Sequence, residues 1–203
     1  MYFLDPVTGK VTFGQKHGDT DYQYNIADPV TKRIYGLTRK DSANDYWGFR
    51  EYDPVADTPL VEYPVQGIGY SATYSFSANN MQVVVGREIV HFNPITKGWF
   101  AFHMDTKKWR ALLWQPLPFQ SGAGDYAGVY YNGKILACQG WGDLQEVDPA
   151  TGTVTPVTVT GPRTFNLSNQ GQQNGLFGRL NLQGNLLFAL DWATSNAKVM
   201  RLA

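Results

Sequence analysis

Apolar positions in this chain gather in short segments, never in long stripes. Between Tyr126 and Val159 they read "YAGVYYNG", "KILACQG", "LQEVDP" and "TVTPVTV", with Gly, Pro, Asn and Asp marking the breaks. Segments of that length, supplied with Val, Ile and Tyr, suit half-buried strands, and no stretch keeps helical spacing over the length of a helix. "YNGK", Tyr131 to Lys134, predicts a tight hairpin, because Asn-Gly accepts the positive φ values of a primed turn. Near the C-terminus "FGRLNLQG", "NLLFALDW" and "AKVMRLA" give three more segments. At the other end "MYFLDP" and "KVTFGQ" read as third and fourth strands without the first two.

One phrase returns along the chain. "FLDPVTGKVTF" starts at Phe3, "YDPVADTPLVEY" at Tyr52, "FNPITKGWFAF" at Phe92 and "VDPATGTVTPV" at Val147. Its Asp or Asn falls at Asp5, Asp53, Asn93 and Asp148, with separations of 48, 40 and 55; "HMDTKKWRALL" offers Asp105 instead of Asn93, giving 52 and 43. Such a period is the length of a four-stranded propeller blade. Within the phrase, proline presets φ, the Asp or Asn side chain bonds nearby backbone donors, and Gly supplies a left-handed position. The phrase is expected to close the hairpin between the third and outermost strands of a blade.

These readings predict an all-β fold: a β-propeller of about four four-stranded blades forming a single domain over 1–203. The blades are expected at 20–66, 68–115 and 124–160, with a divided one made from 1–16 and 165–203. The N- and C-terminal strands pair to close the ring, or another chain completes it, since an unpaired outer strand is a template for association. The residues Asn132 to Leu136, Asp148 to Gly152, Asp5 to Gly9, Asp53 to Asp57 and Asn93 to Trp99 resemble the "NGKIYV" and "YDPxTGxW" phrases of kelch-like β-propeller repeats. The kelch double glycine is replaced by "ACQGWG", so the resemblance implies architecture and no activity. Met104 to Trp109 is similar to the "YDxxTKKW" turns in propeller domains of bacteriophage tail and virion proteins, which implies a virion or tail setting.

Composition agrees with strands and turns: 21 Gly, 11 Pro, 6 Trp, 12 Tyr and 11 Phe. Lys plus Arg and Asp plus Glu balance at 17 each, so no global charge draws the chain to nucleic acid or an anionic membrane. No apolar run reaches a membrane span, and "MYFLDPVTGK" lacks the features of a signal peptide. The expectation is a soluble protein assembled in the cytoplasm and incorporated into a virion. The lone Cys138, in "ILACQG", reads as a small buried hydrophobe.

Alternating strand direction puts the first-to-second and third-to-fourth turns at one end of a blade. The longer links fall at the other: "RKDSANDYWG", "QGWGD" and "DWATSNA" between second and third strands, and Gly-rich passages between blades. Loops held on a rigid scaffold carry function disproportionately. Trp47, Trp141 and Trp192 recur in the inner links, 94 and 51 residues apart. A repeated ring is either a stacking platform for a glycan or protein, or a wedge between blades. Asp45 and Asp143 lie beside these rings, and with Asp19 and Asp125 they are carboxylates able to reach the same face.

Other chemistries find less support. His17, His91 and His103 lie in separate contexts, and "HGDTD" with His17, Asp19 and Asp21 reads as a solvated loop, so neither a metal nor a cofactor is expected. No nucleophile elbow or phosphate loop occurs. Lys97, Lys107, Lys108 and Arg110 lie among Trp99, Phe100, Phe102, Trp109 and Trp114, a pairing that grips single-stranded nucleic acid in some proteins. Here the spacing reads as a hairpin tip over a packed sheet. Two function classes stay open. One is a non-catalytic structural or interaction module binding a protein, neighbouring subunits or a glycan through Trp47, Trp141, Trp192, Asp45 and Asp143. The other is a glycoside hydrolase or lyase using an acidic pair on that face.

Overall fold

The computed structural model describes residues 2–4, 7–8, 10–13, 23–39, 47–56, 61–65, 81–93, 96–118, 126–139, 143–158, 180–191 and 196–202. Among them every regular element is a strand, and none is a helix long and apolar enough to cross a membrane. The chain divides into two compact units, 1–73 and 74–203.

The first unit holds β1 (Tyr2–Leu4) and β2 (Val11–Phe13), an antiparallel hairpin, and sheet I. Sheet I is a four-stranded meander of β3 (Gln23–Ala27), β4 (Ile34–Arg39), β5 (Trp47–Tyr52) and β6 (Val61–Pro64). Tyr35, Phe49 and Tyr52 are fully buried in it.

The second unit contains three sheets. Sheet II runs β7 (Met81–Val85), β8 (Glu88–Asn93), β9 (Gly98–His103) and β10 (Lys108–Leu112). Sheet III runs β11 (Tyr126–Tyr131), β12 (Lys134–Gln139), β13 (Asp143–Val147) and β14 (Val154–Pro156). Sheet IV has three strands: β15 (Leu180–Gln183), β16 (Leu186–Asp191) and β17 (Asn196–Arg201). All pair antiparallel in sequence order.

Strand alternation gives each sheet two faces, and in this unit both faces of sheet III are used. Ile135, Ala137 and Val147 on one face meet Met81, Val90, Phe92 and Trp99 of sheet II. On the opposite face Leu136, Cys138 and Leu144 meet Leu187 and Leu182 of sheet IV. The first strands β7, β11 and β15 lie side by side in that order. A Cβ on Gly128 would come within 2.8 Å of Val83, so glycine is what lets β11 approach β7 this closely.

The repeated phrase is a turn device whose atoms are now visible. Its first residue accepts backbone N–H groups through its side chain: Asp53 from Val55 at 2.9 Å and Ala56 at 3.0 Å, Asp148 from Ala150 at 2.8 Å, and Asn93 from Thr96 at 3.2 Å. The fifth residue bonds back to the first carbonyl, as Gly152 N–H does to Asp148 at 2.7 Å. That fifth residue is left-handed, with φ of 73° at Gly152, 56° at Lys97 and 62° at Lys32. Lys32 belongs to a further copy, "DPVTKR", which the sequence reading had passed over: Asp28, fully buried, accepts from Val30 at 2.9 Å and from the Thr31 hydroxyl at 2.6 Å.

Two expectations change. The Asn93 turn joins the second and third strands of sheet II, so it sits at the end opposite the Asp53 and Asp148 positions of their own sheets. The third-to-fourth turn of sheet II is "HMDTKK", headed by His103 rather than Asp105: Lys107 N–H bonds the His103 carbonyl at 2.8 Å, and Lys107 is left-handed at φ 59°.

Gly152 is required twice over. Besides its φ, a Cβ there would lie 2.8 Å from Trp114 Cα and 2.7 Å from Cγ of its ring. Gly152→Ala is expected to lower stability by about 2 kcal/mol, the left-handed cost plus displacement of Trp114. Urea unfolding followed by far-UV circular dichroism measures it, and an unchanged midpoint would contradict this account.

Candidate functional site

The two ends of these sheets differ in chemistry. At the turn end, the first-to-second connection carries a cation and the third-to-fourth turn carries a carboxylate. Lys134 bonds Asp148 at 2.5 Å; its ammonium, ahead of the Ala150 N–H, holds the Asp148 carboxyl below its ordinary range. Arg87 grips Asp105 with contacts of 2.6 and 3.0 Å. Arg33 pairs with Glu51 and approaches Asp53 at 3.8 Å. The Ala56 and Val55 N–H groups lower the Asp53 carboxyl further than this cation does. In sheet IV the same junction is neutral, with Leu202 N–H on the Asn185 carbonyl at 2.8 Å. In sheets I, II and III, taken one by one, the described charges at the turn end are thus paired within their own sheet.

Sheet I adds a buried polar cluster. Glu51, 3% exposed, accepts the hydroxyls of Tyr35 at 3.2 Å and Tyr63 at 3.0 Å as well as Arg33. Burial first, then the hydrogen bond to Glu51, pushes the Tyr63 hydroxyl up to about 12, and burial raises Tyr35 further still. The sequence reading missed this cluster. Its signal was a Glu two residues from Phe49 on β5, an acid at a core-facing parity.

The opposite end holds the links from second to third strands. In sheet I, Arg39 pairs with Trp47 across the link that contains Asp45. In sheet III, Gln139 pairs with Asp143 across the link that contains Trp141. In sheet IV, Asp191 pairs with Asn196 across the link that contains Trp192. Trp47 and Asp143 are thus the first residues of β5 and β13, while Asp45, Trp141 and Trp192 lie outside the described residues, as do Asp19, Asp125 and the "HGDTD" loop. Sheet II departs from the others, having only the short Asn93–Gly98 turn there. Just beyond it, Trp99 is buried, with its indole N–H on the Gln115 carbonyl at 2.9 Å.

Among the described residues no three His, Cys, Asp or Glu side chains converge as a metal site. Cys138 is buried, with its thiol raised by desolvation, as expected of a packed hydrophobe. His91 is also buried, and desolvation pushes its imidazole down to about 3, so it is neutral. The aromatic residues Trp99, Phe100 and Phe102 are interior, and Arg110 is held by Glu88 at 2.7 and 2.8 Å. Trp109 and Trp114, partly buried, pack on Phe102 and Trp99 respectively.

No protein-family model matches this sequence, and no curated protein is similar to it by sequence. Among solved structures, the chain is similar to BamB from Moraxella catarrhalis, with 13% identity and a TM-score of 0.51 over 98% of this chain and 52% of that one. It spans about half the length of that protein. The computationally designed Ika4 protein follows, at 11% identity and TM-score 0.49 over 94% of this chain and 100% of that one. Glutaminyl cyclase from Myxococcus xanthus matches at 14% identity and TM-score 0.49 over 84% of this chain and 62% of that one. Antiparallel four-stranded meanders in sequence order, together with the likeness to BamB, make the fold an all-β propeller of about four blades.

Proposed function

We propose that this propeller is a non-catalytic interaction module that binds a protein or a glycan through the second-to-third strand links of its sheets. Trp47, Trp141 and Trp192 supply the contact area, and Asp45 and Asp143 supply polar anchoring. The observation that carries this reading is the contrast between the two ends. The turn ends of sheets I, II and III are occupied by their own ion pairs, whereas two of the opposite links contain a tryptophan and a third runs directly into one, Trp47. A rigid ring gives contact area at small entropic cost, which is why such residues dominate binding energy. The setting we propose is a bacteriophage virion or tail, on the likeness of the Met104–Trp109 turn, where neighbouring subunits are natural partners.

Binding should be measured on a glycan array and by cross-linking to neighbouring virion proteins, for the parent chain and for Trp47→Ala, Trp141→Ala and Trp192→Ala. At least one variant that keeps its circular dichroism spectrum is expected to lose about tenfold in affinity, the scale of a truncated aromatic anchor. Full binding by all three folded variants rejects the platform. Glycan turnover that disappears in Asp45→Asn or Asp143→Asn would instead make the chain a carbohydrate-active enzyme.

A further inference from the structure

The β11–β12 connection of sheet III consists of Asn132 and Gly133 alone, between the register pair Tyr131 and Lys134. Both residues are left-handed, with φ of 48° and 80°, and both are exposed. A Cβ built on Gly133 would meet nothing within 4 Å, so the turn projects into open space, while Ile135 and Leu136 just behind it are buried. Asparagine followed by glycine carries its own electrophile and nucleophile: the side-chain amide carbon and the next backbone nitrogen, with no Cβ on glycine to hinder their approach. Other asparagines at turns differ. Asn93 precedes Pro94, whose nitrogen carries no hydrogen and cannot attack, and its side chain accepts the Thr96 N–H at 3.2 Å. Asn185 precedes the branched Leu186, and its side chain donates to the Leu202 carbonyl at 3.4 Å. Asn174, followed by Gly175, lies outside the described residues.

We infer that Asn132 is a site of spontaneous deamidation, its rate set by opening of the β11–β12 turn. The Gly133 backbone nitrogen, as it loses its proton, attacks Cγ of Asn132; a C–N bond forms, the Cγ–Nδ2 bond breaks, and ammonia leaves with that proton. Water then opens the cyclic imide. Breaking the Cγ–N bond gives aspartate, and breaking the bond to the main-chain carbonyl gives isoaspartate. Nothing but water is consumed. Ring closure requires rotation about the Asn132 Cα–C bond away from the primed-turn conformation, so it proceeds from the locally opened turn, a movement that leaves Ile135 and Leu136 in place. Either product puts a new carboxylate two residues before Lys134, the cation that holds Asp148 at 2.5 Å. Isoaspartate also adds a backbone carbon to the shortest of loops, which the pairing of Tyr131 with Lys134 cannot absorb without shifting.

Peptide mapping by mass spectrometry tests this on the whole chain, held folded or unfolded in urea at the same mildly alkaline pH. Aspartate and isoaspartate are expected at Asn132 in the folded chain, while Asn93 and Asn185 remain intact. Unfolding should speed the conversion about fivefold, the equivalent of one backbone hydrogen bond. A higher pH should accelerate it in both states, because the attacking nitrogen must lose its proton. Asn132 that persists in the folded chain, whether or not the unfolded chain converts, would overturn the site. Conversion at the same rate in both states would overturn its control by the turn, and equal conversion of Asn185 would show that the exposed Asn132–Gly133 pair has no special reactivity.

Discussion

Replacing Trp99 by alanine is expected to lower the unfolding free energy by about 3–5 kcal/mol, the range for deleting a fully buried large aromatic. Trp99 is 1% exposed, with Phe92 at 4.8 Å and Trp114 at 5.4 Å between ring centroids. It also fixes the exit from β10. Its indole N–H holds the Gln115 carbonyl, Gln115 N–H bonds the Gly152 carbonyl at 2.9 Å, and the Gln115 side chain accepts Val154 N–H at 2.9 Å. The ring thereby connects sheet II to the last turn of sheet III. Trp99→Phe keeps most of the packing and loses the hydrogen bond, so a smaller cost of about 1–2 kcal/mol is expected. Equal losses in the two variants, measured by urea unfolding, would mean that the bond and not the buried ring dominates.

The repeated phrase illustrates what local sequence can and cannot specify. Segments 126–131, 134–139, 143–147 and 154–156 became β11 to β14, and Asn132 and Gly133 adopt φ of 48° and 80° in the predicted hairpin turn. Period and strand type were legible because both depend on contacts a few residues apart. The position of a turn within its sheet was not. A side-chain acceptor at the first residue and a left-handed fifth residue close any connection of that length, so Asn93 could join second to third strands with the same chemistry that Asp148 uses elsewhere. His103 escaped notice as a turn head because its acceptor, which takes the N–H of Asp105 at 3.2 Å, is a ring nitrogen rather than a carboxylate or amide oxygen. The Glu51 cluster required long-range register: Tyr35 stands opposite Glu51 only once β4 and β5 are paired. Of the five proposed binding residues, strand register fixes Trp47 and Asp143 as the first residues of β5 and β13. Their recurrence in sequence had marked the links, while the chemistry of links that long depends on tertiary context that no local rule supplies.

Glu51→Ala should cost about 2–4 kcal/mol, since it opens a cavity and strands buried hydroxyl groups. The loss falls on the tyrosines more than on the cation. Arg33 has a side chain 45% exposed and can rehydrate, so Arg33→Ala is expected to cost about 1 kcal/mol or less. Tyr35, by contrast, is fully buried, and Glu51 is the acceptor of its hydroxyl. The cluster also predicts an alkaline limb. Tyr63 is raised in the folded protein from 10.0 to about 12, so the fold retains the phenolic proton more strongly than the unfolded chain does. Its contribution to stability is complete below about pH 10 and is lost as pH rises through about 12, with Tyr35 acting in the same direction. Removing the Glu51 charge by Glu51→Gln takes away the coulombic cause of the Tyr63 shift, weakens the hydrogen-bonding one by replacing a carboxylate with a neutral amide acceptor, and leaves burial, the largest. The variant should therefore lose stability less steeply between pH 10 and 12 than the parent, while starting from a lower value at pH 7. Parallel alkaline limbs in the two proteins would show that Glu51 does not set the tyrosine protons, and that its place in the sheet rests on Arg33 alone.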